Sequence, residues 1–519
     1  MFGKRYAKRF YPPPPPPHSF INASDTVKLD GGEEVPTGNW VLYYKTSAQV
    51  GGGKISYKIL LKDSKGLTSS EFTAGTPLNK AAPVKLKYGG LEISPNTDST
   101  PYKIGAGENE TITLIATSDT AGATIHVEKI KLPGDTGEPG SGTNITLQRE
   151  GSEEPTYKLV LYATANNFAD SEVRTYYIKL TNAVTINGSE GNAWKKLKDA
   201  VENGTASVII IKGEIKATGA PGDNGQISIS KKLTIRGIDN DAVLNANNQS
   251  GIFNVMTTLG SEGKLTLENL TLQNGKVKVG ATGGGIFVNS GATLAMERVT
   301  IENCSFDKIN GSKGGGIYSS GTVTMQDSTI QNCSAQEGGG VFVNTGGTFT
   351  MTGGSIQGCK ASKNGGGVYV SIRGNGAETA FNMQGGTISG NTAAKGKGVY
   401  LQDTTGGASG IGDFTMGGNA VVGTWDLNGS LTDGNDVYLS YNDEQDSLGC
   451  IRIDSGNPLT SKKAACITPE EYGSGAKYTA IRMSDGSIVK KHVSKFTVTP
   501  NGTENWTIDE YGKLKKKLP

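Results

Sequence analysis

GGGIF (283–287), GGGIY (314–318), GGGVF (338–342) and GGGVY (365–369) recur along the middle of the chain, and GKGVY (396–400) follows as a degenerate fifth copy. Each copy leads into a short run that ends in methionine: Met296, Met325, Met351, Met383 and Met416. Five residues beyond the first four methionines stand Ile301, Ile330, Ile356 and Ile388. Three residues further on stand Cys304, Cys333, Cys359 and Asn391. Register is fixed inside each copy, and only the connections between copies vary in length. A repeat of this kind is one supersecondary unit stacked on itself.

The unit is built of strands. Apolar residues alternate in TLAMERVTIEN (293–303) and TVTMQDSTI (322–330), with Thr, Val and Ile abundant and no stripe of helical period. The glycine clusters suit sharp turns with φ > 0. A parallel strand needs a return path of a dozen or more residues. Here that path itself holds strands and turns, which predicts an all-β chain coiled as a right-handed parallel β-helix, one repeat per coil.

Alternation also predicts what faces inward. Ile286 and Val288 share one face, and Phe287 and Asn289 the other; Val341/Val343 and Val368/Val370 repeat the pattern. With the aliphatic side inward, the methionines stack in the core as pliable filler. Phe287, Tyr318, Phe342, Tyr369 and Tyr400 then form an outward aromatic stripe, the candidate binding residues of the chain. Exposed rings at the strand spacing of about 4.8 Å could stack on sugar rings or on a partner's apolar surface. The alternative is that the rings stack on one another, or lie under the variable connections.

The 519 residues are too many for one compact core, so several domains or an elongated array are expected. A formal net charge of +2 gives no case for a nucleic-acid partner. Basic clusters at Lys4, Arg5, Lys8, Arg9 and at Lys513, Lys515, Lys516, Lys517 read as solvated tails. No apolar run approaches the ~18 residues of a transmembrane helix. The basic N-terminal stretch lacks the apolar core of a signal peptide.

Residues 1–20 read as a disordered Pro-rich tail, with Pro12–Pro17 a stiff polyproline II spacer. Residues 21–80 and 81–182 read as two small antiparallel β-sandwich modules of Ig-like type. Within the second, KLPGDTGEPGSG (131–142) reads as a flexible loop. AWKKLKDAVENG (193–204), inside a capping segment at 190–204, places Trp194, Leu197 and Val201 on one helical face. Such a helix suits a cap over the first coil, where unpaired strand edges would otherwise be exposed. The β-helix is expected over 205–440, with terminal coils and a cap over 441–519.

Five cysteines define no disulfide framework. Cys304, Cys333 and Cys359 occupy one slot on adjacent coils with no histidine nearby, which reads as a ladder of buried thiols rather than a metal site. Cys450 and Cys466 could pair with each other. No metal or cofactor is expected.

Catalytic signatures are sparse. A hydrolase on this scaffold needs two carboxylates about 5–9.5 Å apart, and a calcium-dependent lyase needs clustered Asp beside a base. Counted from their methionines, Glu297, Asp327 and Glu302 share no slot. The histidines, His18, His126 and His492, all lie outside the repeats. Asp239-Asn-Asp241 and Asp433-Gly-Asn-Asp436 are the best acidic pairs, and both read as turn residues. No glycine run continues into a phosphate-loop GK[ST].

Over roughly 265–425 the repeats resemble those of the polymorphic outer membrane protein family, whose signature pairs GG-aliphatic with Phe-x-x-Asn. Gly284-Gly285-Ile286, Gly315-Gly316-Ile317, Gly339-Gly340-Val341 and Gly366-Gly367-Val368 match the first half. Ile388-Ser-Gly-Asn391 approaches the second half, and the other coils read Ile-x-x-Cys. Residues 111–180 are similar to the small β-sandwich at the C-terminus of chitobiase-like proteins, through Ala121-Gly-Ala-Thr-Ile125, Tyr162-Ala-Thr-Ala165 and Phe168-Ala-Asp-Ser-Glu-Val173. The first resemblance implies a surface adhesin, although the C-terminal stretch lacks the strand pattern of that family's membrane barrel. The second implies a spacer of bacterial surface proteins.

The expectation is therefore a non-enzymatic bacterial protein of the cell surface, outer membrane or extracellular space. It would bind host matrix, a cell-surface protein or a glycan, with peripheral outer-membrane association open to it. The rivals are a secreted polysaccharide lyase or hydrolase, with its site in coils 205–260 or around 403–440, and a purely structural surface protein.

Overall fold

The computed structural model describes residues 80–517 except 89–90, 107–108, 134–136, 166–169, 239–240, 278–282, 307–310, 372–378, 403–412 and 443–446, together with 26–28 and 34–36. The Pro-rich stretch and nearly all of the module expected over 21–80 lie outside the described residues; Thr26–Lys28 and Glu34–Pro36 pair antiparallel. The chain divides into two compact units, one of residues up to 104 with 108–180, the other of 105–107 with 181–519.

The first unit, from residue 80 to 180, holds two antiparallel sheets. One orders Leu91–Ile93, Lys85–Tyr88, Thr111–Thr117 and Asn144–Gln148. In the other, Thr156–Thr164 pairs with Thr124–Leu132 and with the start of Arg174–Asn187. Burial alternates along the strands, so Ile112, Leu114 and Ala116 of the first sheet and Leu159, Leu161 and Ala163 of the second are core. Tyr157 Oη donates to Gln148 O at 2.7 Å and Tyr176 Oη to Val84 O at 3.0 Å, so each phenol keeps a partner where its ring is buried. The stretch read as a flexible loop contains a strand, Glu138–Ser141, paired with His126–Lys129. Its Pro and Gly content hid an edge strand, the position where Pro is tolerated.

The second unit is a parallel β-helix. Val208–Lys212, Lys232–Gly237, Lys264–Gln273, Thr293–Glu302 and Thr322–Gln326 pair parallel in succession. A second parallel sheet of ten strands runs from Ile227–Ile229 to Phe496–Val498 and contains every strand that follows a glycine cluster. Sequence equivalence becomes spatial stacking: Met296, Met325, Met351, Met383 and Met416 pair coil over coil, as do Ile301, Ile330, Ile356 and Ile388. All of these are core residues. So are Phe349, Phe381 and Phe414, whose rings stack inside the coil at 5.1 and 4.8 Å.

Each glycine of the triplet has its own reason. The first lies at φ between 61° and 83° in all five copies, a region that side chains disfavour. A Cβ on the second would fall 2.3–2.5 Å from a carbonyl oxygen of the next coil, and on the third 2.6–2.8 Å. At the fifth copy the coil above no longer repeats the glycines, and Lys397 takes the middle place with its amide bonded to Asp436 Oδ1 at 2.8 Å.

Two residues past the isoleucine slot, held by Leu272 in the earliest coil of this frame, the chain turns a corner. Asn274, Asn303, Asn332, Gly358 and Gly390 are left-handed there, the residue types that tolerate it. The following side chain points inward. Asn391 accepts from Cys359 N–H at 2.8 Å and donates to Ile356 O at 3.0 Å. The cysteines make a weaker version, with Cys304 Sγ 3.3 Å from Glu302 O and Cys333 Sγ 3.3 Å from Gln331 O.

Ala193–Glu202 is helical and buries Trp194, Leu197 and Val201 in the same core cluster as the first coils. Trp194 Nε1 donates to Gly225 O at 3.0 Å. At the other end the antiparallel pair Trp506–Ile508 and Leu514–Lys516 adds Trp506, Ile508 and Leu514 to that core.

Candidate functional site

The aromatic stripe is real and longer than the sequence reading had it. Phe287, Tyr318, Phe342, Tyr369, Tyr400 and Tyr438 pair in register. From Tyr318 onward the rings stack face to face at 5.3, 4.8, 5.0 and 5.3 Å, while Phe287 meets Tyr318 edge-on at 5.3 Å. Phe342, Tyr369, Tyr400 and Tyr438 form an apolar cluster of their own, distinct from the coil interior. The rings therefore stand outside the coil.

Their exposure follows the alternative reading, in which the rings stack on one another and lie under the connections. Phe342 is 0% exposed, Tyr369 5%, Tyr400 8% and Tyr438 7%; only Phe287 and Tyr318 are half-buried. Ring faces along the ladder are occupied by neighbouring rings, so the middle of the stripe offers no platform for a sugar. Side chains from the connections add cover. Lys313 Nζ stands 4.6 Å from the Phe342 ring centre and pairs with Glu337. Lys395 Nζ stands 5.0 Å from the Tyr438 ring centre and pairs with Glu470 at 2.8 Å.

The polar groups concentrate where the ladder stops. Tyr438 is followed one coil on by Thr468, not by another ring. Beside this step lies a groove of about 250 Å³ lined by Lys395, Lys397, Asp436, Tyr438, Thr468 and Thr499, among others. Asp436 is buried, and burial pushes its carboxyl above the usual range despite bonds from Thr468 and the Lys397 amide. Burial also acts to raise Glu470, but bonds from Lys395, from the Tyr441 amide and from Tyr438 outweigh it and hold its carboxyl low. Lys395 is raised by its bonds to Glu470 and Tyr438, against burial. Burial pushes the Tyr400 phenol up to about 12.

The other flagged residues are accounted for locally. Asp433 accepts from the amides of Gly390 at 2.8 Å, Thr424 at 3.0 Å and Asn435 at 3.1 Å, the role of a turn carboxylate. In the pair at 239–241, residues 239–240 lie outside the described residues, as does 403–412 of the rival enzyme site. Arg236, within coils 205–260, forms a buried ion pair at 2.6 Å with Glu268 of the next coil. Cys304, Cys333, Cys359, Cys450 and Cys466 are all buried free thiols, and burial drives Cys333 well above its ordinary value. Among the described residues no cluster of metal-ligating side chains occurs and no helix is long and apolar enough to cross a membrane.

Sequence reasoning missed Tyr438, Lys395, Glu470 and Thr468. One signal was available: DVYLS (436–440) repeats the frame of GVYLQ (398–402) without its glycine. Residues 250–443, which carry the regular coils and all six rings, match the family described as the right handed beta helix region. No curated protein matches the chain.

Proposed function

We propose that the chain is a non-catalytic bacterial protein, displayed at the cell surface or secreted, whose β-helix binds an extended glycan or matrix ligand. The observation that carries this reading is the outward surface of the long sheet. Thr293, Thr322 and Thr348 form one row in register. Thr271, Thr300, Thr329, Ser355 and Thr387 form another. Gln273, Glu302, Gln331 and Gln357 form a third, in which Gln331 donates to Glu302 at 2.7 Å and Gln357 to Gln331 at 3.2 Å. These side chains are exposed or half-exposed. Rows of hydroxyls and amides repeating at the strand spacing of about 4.8 Å suit a polymer met by many weak contacts whose sum is useful. The resemblance to polymorphic outer membrane proteins and to chitobiase-type spacers supports the location.

Protease shaving of intact cells tests the location: peptides from 80–182 released before lysis support it, and release only after lysis sinks it. Sedimentation of the purified protein with insoluble polysaccharides and with collagen or fibronectin tests the binding. Failure to co-sediment with any of them would sink the binding reading.

A second reading, a polysaccharide hydrolase, is favoured by one observation. Glu470 bonds Tyr438, and Asp436 lines the groove that Tyr438 borders; their carboxyls are shifted in opposite directions. Such a pair is how one site keeps an acid and a base together. Release of reducing ends from a polysaccharide panel, lost in both Asp436→Asn and Glu470→Gln, would establish it.

A further inference from the structure

We infer that the last two connections on one side of the β-helix form a cationic patch that binds a sulfated polysaccharide chain. This patch is separate from the polar rows of the long sheet and makes its contacts through charge. Ile451–Ile453 pairs with Ile481–Met483, and Ala465–Pro469 with Phe496–Val498. The connections 454–464 and 484–495 are therefore stacked, with their strands about 4.8 Å apart. Ser455 N–H donates to Ser484 Oγ at 2.9 Å and Ala464 N–H to Lys495 O at 2.7 Å, which ties one connection to the other at both ends. Their second halves bring together Lys462 and Lys463 with Lys490, Lys491 and Lys495. On a chain whose 51 basic and 49 acidic side chains nearly balance, no Asp or Glu occurs over 455–469 or over 486–503.

The patch has a braced interior and an exposed rim. Lys463 Nζ donates to Ser494 O at 3.0 Å, and Lys495 Nζ donates back to Ser461 O. Each ammonium carries three donors, so both keep two for a ligand. Lys462, Lys490 and Lys491 are exposed. Lys490 pairs with Glu510 at 2.9 Å, both largely exposed, and such pairs are weak tethers. Among the described residues the other four lysines pair with no carboxylate. Asp454 and Asp485 begin the two connections, away from the lysines, and accept from the amides of Gly456 and Ser487, each at 2.9 Å. In the hairpin one coil earlier, Asp426 accepts from Ser430 N–H at 2.7 Å, and Asp433 serves three amides as described above.

The composition of the patch selects its partner. Lysine is a compact point charge on a flexible stem, so a row of lysines responds to charge density rather than to a planar shape. Neither connection holds Arg, Phe, Tyr or Trp, which leaves out bidentate phosphate clamps and base stacking. Ile488 is the one exposed large hydrophobic residue of the two connections, too little apolar surface to seat in a bilayer. An open strip of ammonium groups suits an extended chain that carries a charge on each of several successive units.

Equilibrium binding of the full chain to heparin at a physiological ionic strength of about 0.15 M tests this. The native chain should bind, and binding should weaken as salt rises. Lys462→Glu with Lys491→Glu reverses two rim charges and should weaken binding about tenfold, with circular dichroism unchanged. Lys360→Glu with Lys363→Glu makes the same change in net charge on exposed residues of an earlier coil and should leave binding as it is. His492 gives a local readout. Burial, then the charges of Lys495 and Lys491, hold its imidazole below the ordinary value. Heparin, but not the neutral polymer dextran, should raise it in an NMR titration. The inference is overturned if heparin does not bind the native chain, if the rim variant binds as well as the native chain, or if the two double variants lose binding equally. It is also overturned if vesicles of phosphatidylglycerol or duplex DNA bind more tightly than heparin does. Co-sedimentation with neutral polysaccharides does not depend on these lysines, so failure of the patch and failure of the polar rows are separate results.

Discussion

Two aromatic ladders run along this β-helix with the same period and different surroundings. Phe349, Phe381 and Phe414 stack inside the coil at 5.1 and 4.8 Å. Tyr318, Phe342, Tyr369, Tyr400 and Tyr438 stack outside it at 4.8–5.3 Å. The spacing is set by strand pairing in both cases, so periodic stacking by itself says nothing about binding. What separates the ladders is their cover. The inner one is enclosed by methionine and isoleucine slots of the core, and the outer one by connections and two lysine–glutamate pairs. The cover of the outer ladder extends to its C-terminal ring, since Tyr438 is as buried as the middle rings, and only Phe287 and Tyr318 at the other end are half-buried.

The difference in cover should appear in mutational cost. Phe381→Ala removes a ring from a closed core and should destabilise by roughly 3–5 kcal/mol. Phe342→Ala removes an equally buried ring whose lysine and connection cover can collapse onto the gap, so it should fall at or below the low end of that range. Chemical denaturation followed by circular dichroism compares them. Equal costs would mean that the outer cover is as rigid as the core.

The corner slot gives a second contrast, next in size. Asn391→Ala strands the Cys359 amide and the Ile356 carbonyl that its side chain satisfies, at about 1–3 kcal/mol for each buried group left unpaired. Cys333→Ala removes a weaker sulfur contact and should cost about 1 kcal/mol. If the two substitutions melt alike, Asn391 is packing filler and its hydrogen bonds matter little.

The coil interior was legible because alternation and a fixed register act locally. The methionine, isoleucine and cysteine slots follow from counting, and the glycine triplet from the turn it must make. The inner phenylalanine ladder was not legible, since its slot reads Leu265, Leu294, Val323, Phe349, Phe381 and Phe414 and shows no constant residue. The direction of the outer rings could be read, and their burial could be raised only as an alternative, without the residues that supply it. That burial depends on Lys313 and Lys395, placed by connections of variable length, and on Glu470, which arrives two coils after Tyr400. Cover supplied by distant segments leaves no periodic trace.

A smaller effect separates the ends of the outer ladder from its middle. Tyr318 is half-buried and has one edge-on and one stacked neighbour. Tyr318→Ser should therefore cost less than Phe342→Ala, about 1–2 kcal/mol. A larger loss would show that the stack is cooperative along its length.

The smallest effect is a pH dependence, and its sign differs between the two carboxylates at the ladder's end. Burial raises Asp436, so between the ordinary carboxylate value and its raised value the folded chain holds more protons than the unfolded one. Stability from this group is thus present in acid and lost as pH rises through that window. Glu470 is net lowered, with the Lys395 bond overcoming burial, so its contribution is present above the ordinary glutamate value and lost as pH falls through the lowered one. Asp436→Asn, which keeps an acceptor for the Lys397 amide, should raise the melting temperature at neutral pH and lose that advantage in acid. Glu470→Gln should lower it at neutral pH and converge with the native chain in acid, by a small margin because the pair is partly exposed. Melting curves from pH 3 to pH 8 read both. Parallel shifts of the two variants would mean that the carboxylates titrate as one shared site, with Lys395 compensating both and not Glu470 alone.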